Sequence, residues 1–291
     1  MKKITGVYRN QHMHWVGDGF PVKNLFSYDR LGQAISPFLL LDYAAPYHFD
    51  PTTAQHGVGS HPHRGFETVT IAYSGEVTHK DSAGGGGTIQ TGDVQWMTAG
   101  AGLVHEEFHS PAFAAQGGLF EMVQLWMNLP AADKMTAPKY QAIESQNIPR
   151  IEFEDGAGHI RVIAGKFAEH AGPASTFSPV NVWDGELKAG HVEHIHVPVD
   201  HNTLVVVLAG EMLLNGTQKV LDHSIVMFAQ DGESTIQLEA AQDAKFLVLT
   251  GKPLNEPIQG HGPFVMNTRD EIIQAFHDFN NGKFGAIPVS T

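Results

Sequence analysis

The chain has 291 residues, 18 histidines, no cysteine and a formal net charge of −13. The lack of thiols excludes disulfides, thiolate metal sites and cysteine nucleophiles. The acidic balance, with no basic run to offset it, argues against direct binding to nucleic-acid phosphate.

The N-terminal stretch MKKITGVYRNQH has no apolar run behind its lysines, so it does not read as a secretory signal. No segment approaches the roughly 18 apolar residues a membrane helix needs. The expectation is a soluble cytoplasmic protein, or a nuclear one if the source is eukaryotic, with no membrane partner.

The predicted elements are mostly strands. Residues 67–73, 93–98 and 120–127 are rich in β-branched, aromatic and aliphatic side chains, and the first two stop at glycine-containing turns. Residues 84–87 form a glycine run without the lysine of a phosphate-binding loop, so they read as part of a hairpin. Residues 131–149 are polar and proline-containing and read as a connector. Further strands are predicted over 202–208, 224–228, 235–238 and 245–250. Short strands between glycine turns point to sandwiches or jelly-roll barrels rather than βαβ units. Thr268-Arg-Asp-Glu271 is a capping box, followed at helical spacing by Ile272, Phe276 and Phe279, with Gly282 as a stop. The helix is expected to lay an apolar face on a sheet.

The chain repeats itself loosely. His61-x-His63, a Val/Ile-rich strand and Gly75-Glu76 in the first half correspond to His194-x-His196, a Val-rich strand and Gly210-Glu211 in the second. This suggests two copies of one barrel, over residues 1–135 and 136–291, with the helix ending the second.

Two i, i+2 pairs carry the candidate chemistry: His61-Pro62-His63 and His105-Glu106-Glu107. Alternate side chains leave one face of a strand, so each pair can enter one cavity. Three imidazoles and a carboxylate suit one divalent ion, with Fe(II), Mn, Ni, Zn and Cu all open on this reading. The glycine-rich turn around Gly100 and Gly102 allows the chain to reverse and return a third imidazole. The carboxylate is open on this reading. Glu67 follows the first pair on the next predicted strand, and Glu107 shares the face of His105. Glu106 should face the other way. In the second half, His194 and His196 have no returning histidine, so that barrel is expected to be scaffold.

His61-Pro-His-Arg-Gly-Phe-Glu-Thr-Val69, Gln95-Trp-Met-Thr-Ala-Gly100, Leu103-Val-His-Glu-Glu107, Leu125-Trp-Met-Asn-Leu129 and His261-Gly-Pro-Phe-Val-Met-Asn267 together resemble the pirin family over nearly the whole chain. The resemblance implies an all-β fold of two tandem cupin barrels, with an iron-type centre in the first held by His61, His63, His105 and Glu107. It therefore selects Glu107 over Glu67. It also implies two activities. One is a dioxygenase that opens a flavonol such as quercetin with O2, with Glu107 taking the enol proton. The alternative is an iron-loaded, redox-responsive binding protein that acts as a transcriptional or metabolic cofactor on a protein partner.

Overall fold

The computed structural model describes residues 1–288. The chain forms two compact units that are not consecutive halves. One comprises residues 1–12, 25–37 and 146–253, and the other residues 13–24, 38–145 and 254–291. The cut expected after residue 135 therefore differs from the observed division. Lys139–Ile143, inside the expected connector, pairs antiparallel with Val94–Thr98 and stays with the first barrel. The opening strand Ile4–Arg9 instead pairs with Ser224–Phe228 of the other unit. The reason is that an unpaired sheet edge is costly, and in both cases a neighbouring segment covers it.

In the unit that includes residues 146–253, a seven-stranded antiparallel sheet and a four-stranded one share a core. The larger runs Ile4–Arg9, Ser224–Phe228, Asn202–Ala209, Ala244–Gly251, Val180–Leu187, Gly158–Ala164 and Arg150–Glu152, in spatial order. The smaller runs Val192–His196, Thr235–Ala240, Glu211–Leu214 and Gln218–Leu221. Trp183, Val205 and Phe246 from the first pack with Ile195, Met212 and Ile236 from the second. Alternation decides which side chains enter. On Val192–His196 the buried position is Ile195, while His194 and His196 are exposed.

The unit that includes residues 38–145 repeats the plan. Its larger sheet runs Lys139–Ile143, Val94–Thr98, Phe66–Ser74, Gly118–Asn128, Phe38–Phe49, Phe20–Ser27 and Met13–Val16. Its smaller sheet runs Gly57–His63, Leu103–His109, Val77–Asp81 and Gly86–Ile89. Phe20, Ala44, Phe120 and Met122 pack with Val77 and Ile89 across the barrel. The predicted strands are all present, within a residue or two at their ends.

The turn between Val94–Thr98 and Leu103–His109 needs its glycines. Gly100 has φ +49°, and a Cβ there would lie 2.2 Å from the Thr136 carbonyl oxygen. Gly102 has φ +121°, and a Cβ would lie 2.5 Å from the Phe284 ring. No L side chain fits either position without displacing its neighbour.

The predicted helix is present as Arg269–Asn280, with the full capping box between Thr268 and Glu271. Its buried Ile272 and Ala275 pack with Val104, Phe264, Met266 and Phe284. Two buried basic side chains tie its surroundings together. Arg64 Nη1 donates to Asp278 Oδ2 at 2.9 Å. Lys134 Nζ donates to the carbonyls of Gly65 and Val265 and to Asn128 Oδ1. No described helix is long and apolar enough to cross a membrane.

Candidate metal centre

The site is built on the four-stranded sheet. Leu103–His109 lies between Gly57–His63 and Val77–Asp81. His105 is the cross-strand partner of His61 on one side and of Asp81 on the other. Glu107 is paired with His79, and the ladder to Gly57–His63 shifts between His105 and Glu107. Strand parity and this register together place His61, His63, His105, Glu107, His79 and Asp81 on one face.

The three predicted imidazoles meet. Their ring centroids are 4.2 Å apart for His61–His105, 4.8 Å for His63–His105 and 4.9 Å for His61–His63. Candidate ligand atoms of the three lie within 4.8 Å of one another. Glu107 is buried, and with His105 and His79 it forms an overlapping cluster of the same tightness.

The outer nitrogens of these rings are occupied. His61 Nδ1 is 2.8 Å from the Gly59 carbonyl oxygen, and His63 Nδ1 is 3.3 Å from that of Pro263. A carbonyl only accepts, so both Nδ1 atoms carry the proton and both Nε2 atoms keep a lone pair. His105 Nδ1 is 3.3 Å from His79 Nδ1. His105 Nε2 is fully buried and has no hydrogen-bond partner. A buried polar atom left so is costly unless something else engages it, and a bound cation would do so. Burial, followed by the nearby His61, pushes the His63 imidazole down to about 3. Burial and the flanking histidines hold His105 well below the usual range as well. Both rings are therefore neutral at physiological pH, which is the ligating form. The donor set and the orphaned nitrogen fit a divalent ion.

The carboxylates separate cleanly. Glu107 Oε1 accepts a hydrogen bond from Gln95 Nε2 at 3.1 Å. Glu67 is buried elsewhere in the barrel, accepting from Thr98 Oγ1 at 2.7 Å, and belongs to neither cluster. Burial pushes its carboxyl up to about 7, against the opposing Thr98 bond. Glu106 is half-buried and lines a separate groove with Ser60 and Lys80.

Several residues of the site were not singled out from the sequence. His79 Nε2 is 3.2 Å from Asp81 Oδ2. Gln95 Nε2 is also 3.2 Å from His79 Nδ1, and Tyr140 stacks on the His79 ring at 5.1 Å and 17°. Burial raises the Asp81 carboxyl, but donors from His79, Gly85 and Ala83 outweigh it and hold it below the usual range. The signal was present: His79-Lys80-Asp81 is a third i, i+2 pair between the other two.

A cavity of about 350 Å³ opens onto the cluster. His61, His63 and Glu107 form its polar end, and Phe20, Met122 and Trp126 are among its apolar walls. Trp126 packs against Phe66 and stands edge-on to His63. Trp96, Met97 and Met127 are instead buried core residues. Asp42 also lines the cavity. Burial raises its carboxyl, while Asn24 donates to Oδ1 at 2.9 Å.

Among the described residues, no second cluster of this kind forms in the other barrel. There His201 Nδ1 lies 3.0 Å from Thr250 Oγ1, inside the fold.

Comparison with known proteins agrees with the two-barrel architecture. Residues 19–127 match the Pirin family, and residues 182–285 match the Pirin C-terminal cupin domain. A Pseudomonas aeruginosa protein named "Putative quercetin 2,3-dioxygenase" is 55% identical over 284 residues, spanning 98% of this chain and 99% of its own length. Pirin-1 of Arabidopsis thaliana is 38% identical over 92% of this chain and 90% of its own length. The crystal structure of quercetin 2,3-dioxygenase from Acinetobacter baumannii is 65% identical and superposes with a TM-score of 0.97, covering 99% of this chain and all of that one. With both barrels matched and relatives aligned end to end, the chain belongs to the pirin family.

Proposed function

We propose that the chain is a metal-dependent dioxygenase that opens the ring of a flavonol-type enol with O2. His61, His63, His105 and Glu107 hold one divalent ion, with Fe(II) as the leading choice. The observation that carries this reading is the opening of His61, His63 and Glu107 onto one apolar-walled cavity, with His105 behind them. The volume is at the small end of the range for small-molecule sites, which suits a compact planar ligand. The names carried by the Pseudomonas and Acinetobacter relatives support the same substrate class.

A divalent ion in this set supplies Lewis acidity and, if it is iron, one-electron exchange with O2. The protein's own groups do the rest. Glu107, oriented by the Gln95 amide, accepts the proton of the enol hydroxyl. Trp126 and Phe20 offer flat apolar surface to an aromatic ring, and together with Met122 they limit water around it. Asp42 accepts a hydrogen bond from a peripheral hydroxyl of the same ligand, which fixes its orientation.

The test is oxygen uptake with quercetin, in air, after separate loading with Fe(II), Mn(II), Ni(II), Zn(II) and Cu(II). Uptake with at least one ion, lost in Glu107→Ala, is the expected result. No uptake with any of them overturns the flavonol reading.

A further inference from the structure

We infer that His79 and Asp81 form a positioning dyad that sets the tautomer of His105 and so prepares its Nε2 for the ion. The inference rests on the metal-site reading and not on the flavonol activity.

The three imidazoles are held in different ways. His61 and His63 meet backbone carbonyls at Nδ1, so their tautomers follow from the main chain alone. His105 meets another imidazole, which can donate or accept. Its tautomer therefore depends on what fixes His79. Asp81 does this. Its Oδ1 accepts from the backbone N–H groups of Ala83 and Gly85, both at 2.8 Å, which locks the carboxylate in place. Its Oδ2 faces His79 Nε2 at 3.2 Å. An ionised carboxylate only accepts, so the His79 proton sits on Nε2. His79 Nδ1 is then an acceptor, and it faces the Gln95 amide and His105 Nδ1. His105 donates from Nδ1 and keeps a free lone pair on its buried, unpartnered Nε2. The opposite assignment sets a His79 N–H against the Gln95 N–H and leaves a lone pair against the carboxylate, so only one arrangement is self-consistent.

The same geometry explains why His79 is not itself a ligand, although it stands beside Glu107 and His105. Both its nitrogens are engaged within the protein. Tyr140 stacks on its ring and donates to Gln95 Oε1 at 3.3 Å, which holds the ring and the amide together. Partners of this kind behind a ligating histidine typically change metal affinity 10–100-fold.

The experiment measures Co(II) affinity by chelator competition, together with pulsed EPR of the Cu(II)-loaded protein. The variants are His79→Ala, His79→Asn and Asp81→Asn. Asp81→Asn is the sharpest. Its Oδ1 keeps the Ala83 and Gly85 bonds, so the amide N–H₂ must face His79 Nε2. That moves the His79 proton to Nδ1 and shifts the His105 proton to Nε2, from which it must be displaced before the ion binds, so binding weakens without losing a ligand. The expected loss is about 10–100-fold for Asp81→Asn and for His79→Ala. His79→Asn, whose Oδ1 can accept from His105 Nδ1, recovers most of the affinity. The remote-nitrogen signal of one imidazole shifts in the two weakened variants, while the number of bound imidazoles stays the same. Melting of the metal-free variants checks that they fold. Unchanged affinity and an unchanged spectrum in folded Asp81→Asn and His79→Ala overturn the dyad. Loss of one bound imidazole in His79→Asn makes His79 a ligand and also overturns it. A wild type that takes up no metal removes the centre and the dyad together. Metal uptake without quercetin turnover leaves the dyad standing and affects only the substrate reading.

Discussion

His63 Nδ1 is hydrogen-bonded to the carbonyl of Pro263, 200 residues further along the chain. The neighbouring Arg64 donates from Nη1 to Asp278 and from Nε to the Ala101 carbonyl, and is itself buried. The C-terminal segment is thus part of the frame around His61 and His63. Asp278→Ala leaves the Arg64 guanidinium buried without this carboxylate, the more damaging way to break such a pair. The expected outcome is a drop of several degrees in melting temperature, read by calorimetry, with weaker retention of the ion on dialysis.

The ligand assignment separates two glutamates. His61→Ala, His105→Ala and Glu107→Ala should purify with well under one equivalent of metal per chain by elemental analysis. Glu67→Gln should keep the wild-type content, because Glu67 accepts from Thr98 away from the cluster. Full metal content in both His61→Ala and Glu107→Ala would refute the assignment.

Glu67 also has a pH signature. Its carboxyl is raised to about 7 in the fold by burial, from an ordinary value of 4.5. The folded state therefore binds more protons than the unfolded state between these values. Its contribution is fully present below about pH 4.5 and is lost as pH rises through about 7, to the extent of roughly 3 kcal/mol. Denaturant titrations of the metal-free protein at pH 4.5, 6 and 8 should show a flatter pH dependence in Glu67→Gln over this window. The same pH slope in wild type and variant would contradict it.

Asp42 separates binding from metal holding. Asp42→Asn should leave metal content unchanged and raise KM for quercetin about tenfold, the effect of losing one charge-assisted hydrogen bond. Trp126→Ala should also weaken substrate binding. Steady-state kinetics beside elemental analysis distinguishes these two from the ligand variants, which lose both.

Much of the site was legible because strand parity is local. His61 and His63, or His105 and Glu107, share a face by being two residues apart, and glycines at 100 and 102 announce the turn before the second pair. The helix over 269–280 was equally legible from its capping box and apolar spacing. The repeat in the second barrel was visible too, but spacing does not say which parity faces inward. There Ile195 takes the core position and the two histidines face out.

What the sequence by itself determined was therefore a β-rich chain of two related barrels and a set of side chains able to hold a divalent ion. The family resemblance already favoured Glu107 over Glu67; only the tertiary structure placed His79 and Asp81 behind His105 and the Pro263 carbonyl against His63. Alternation along one strand is written in consecutive residues, whereas these contacts depend on the register between strands and on a segment returning from the far end of the chain.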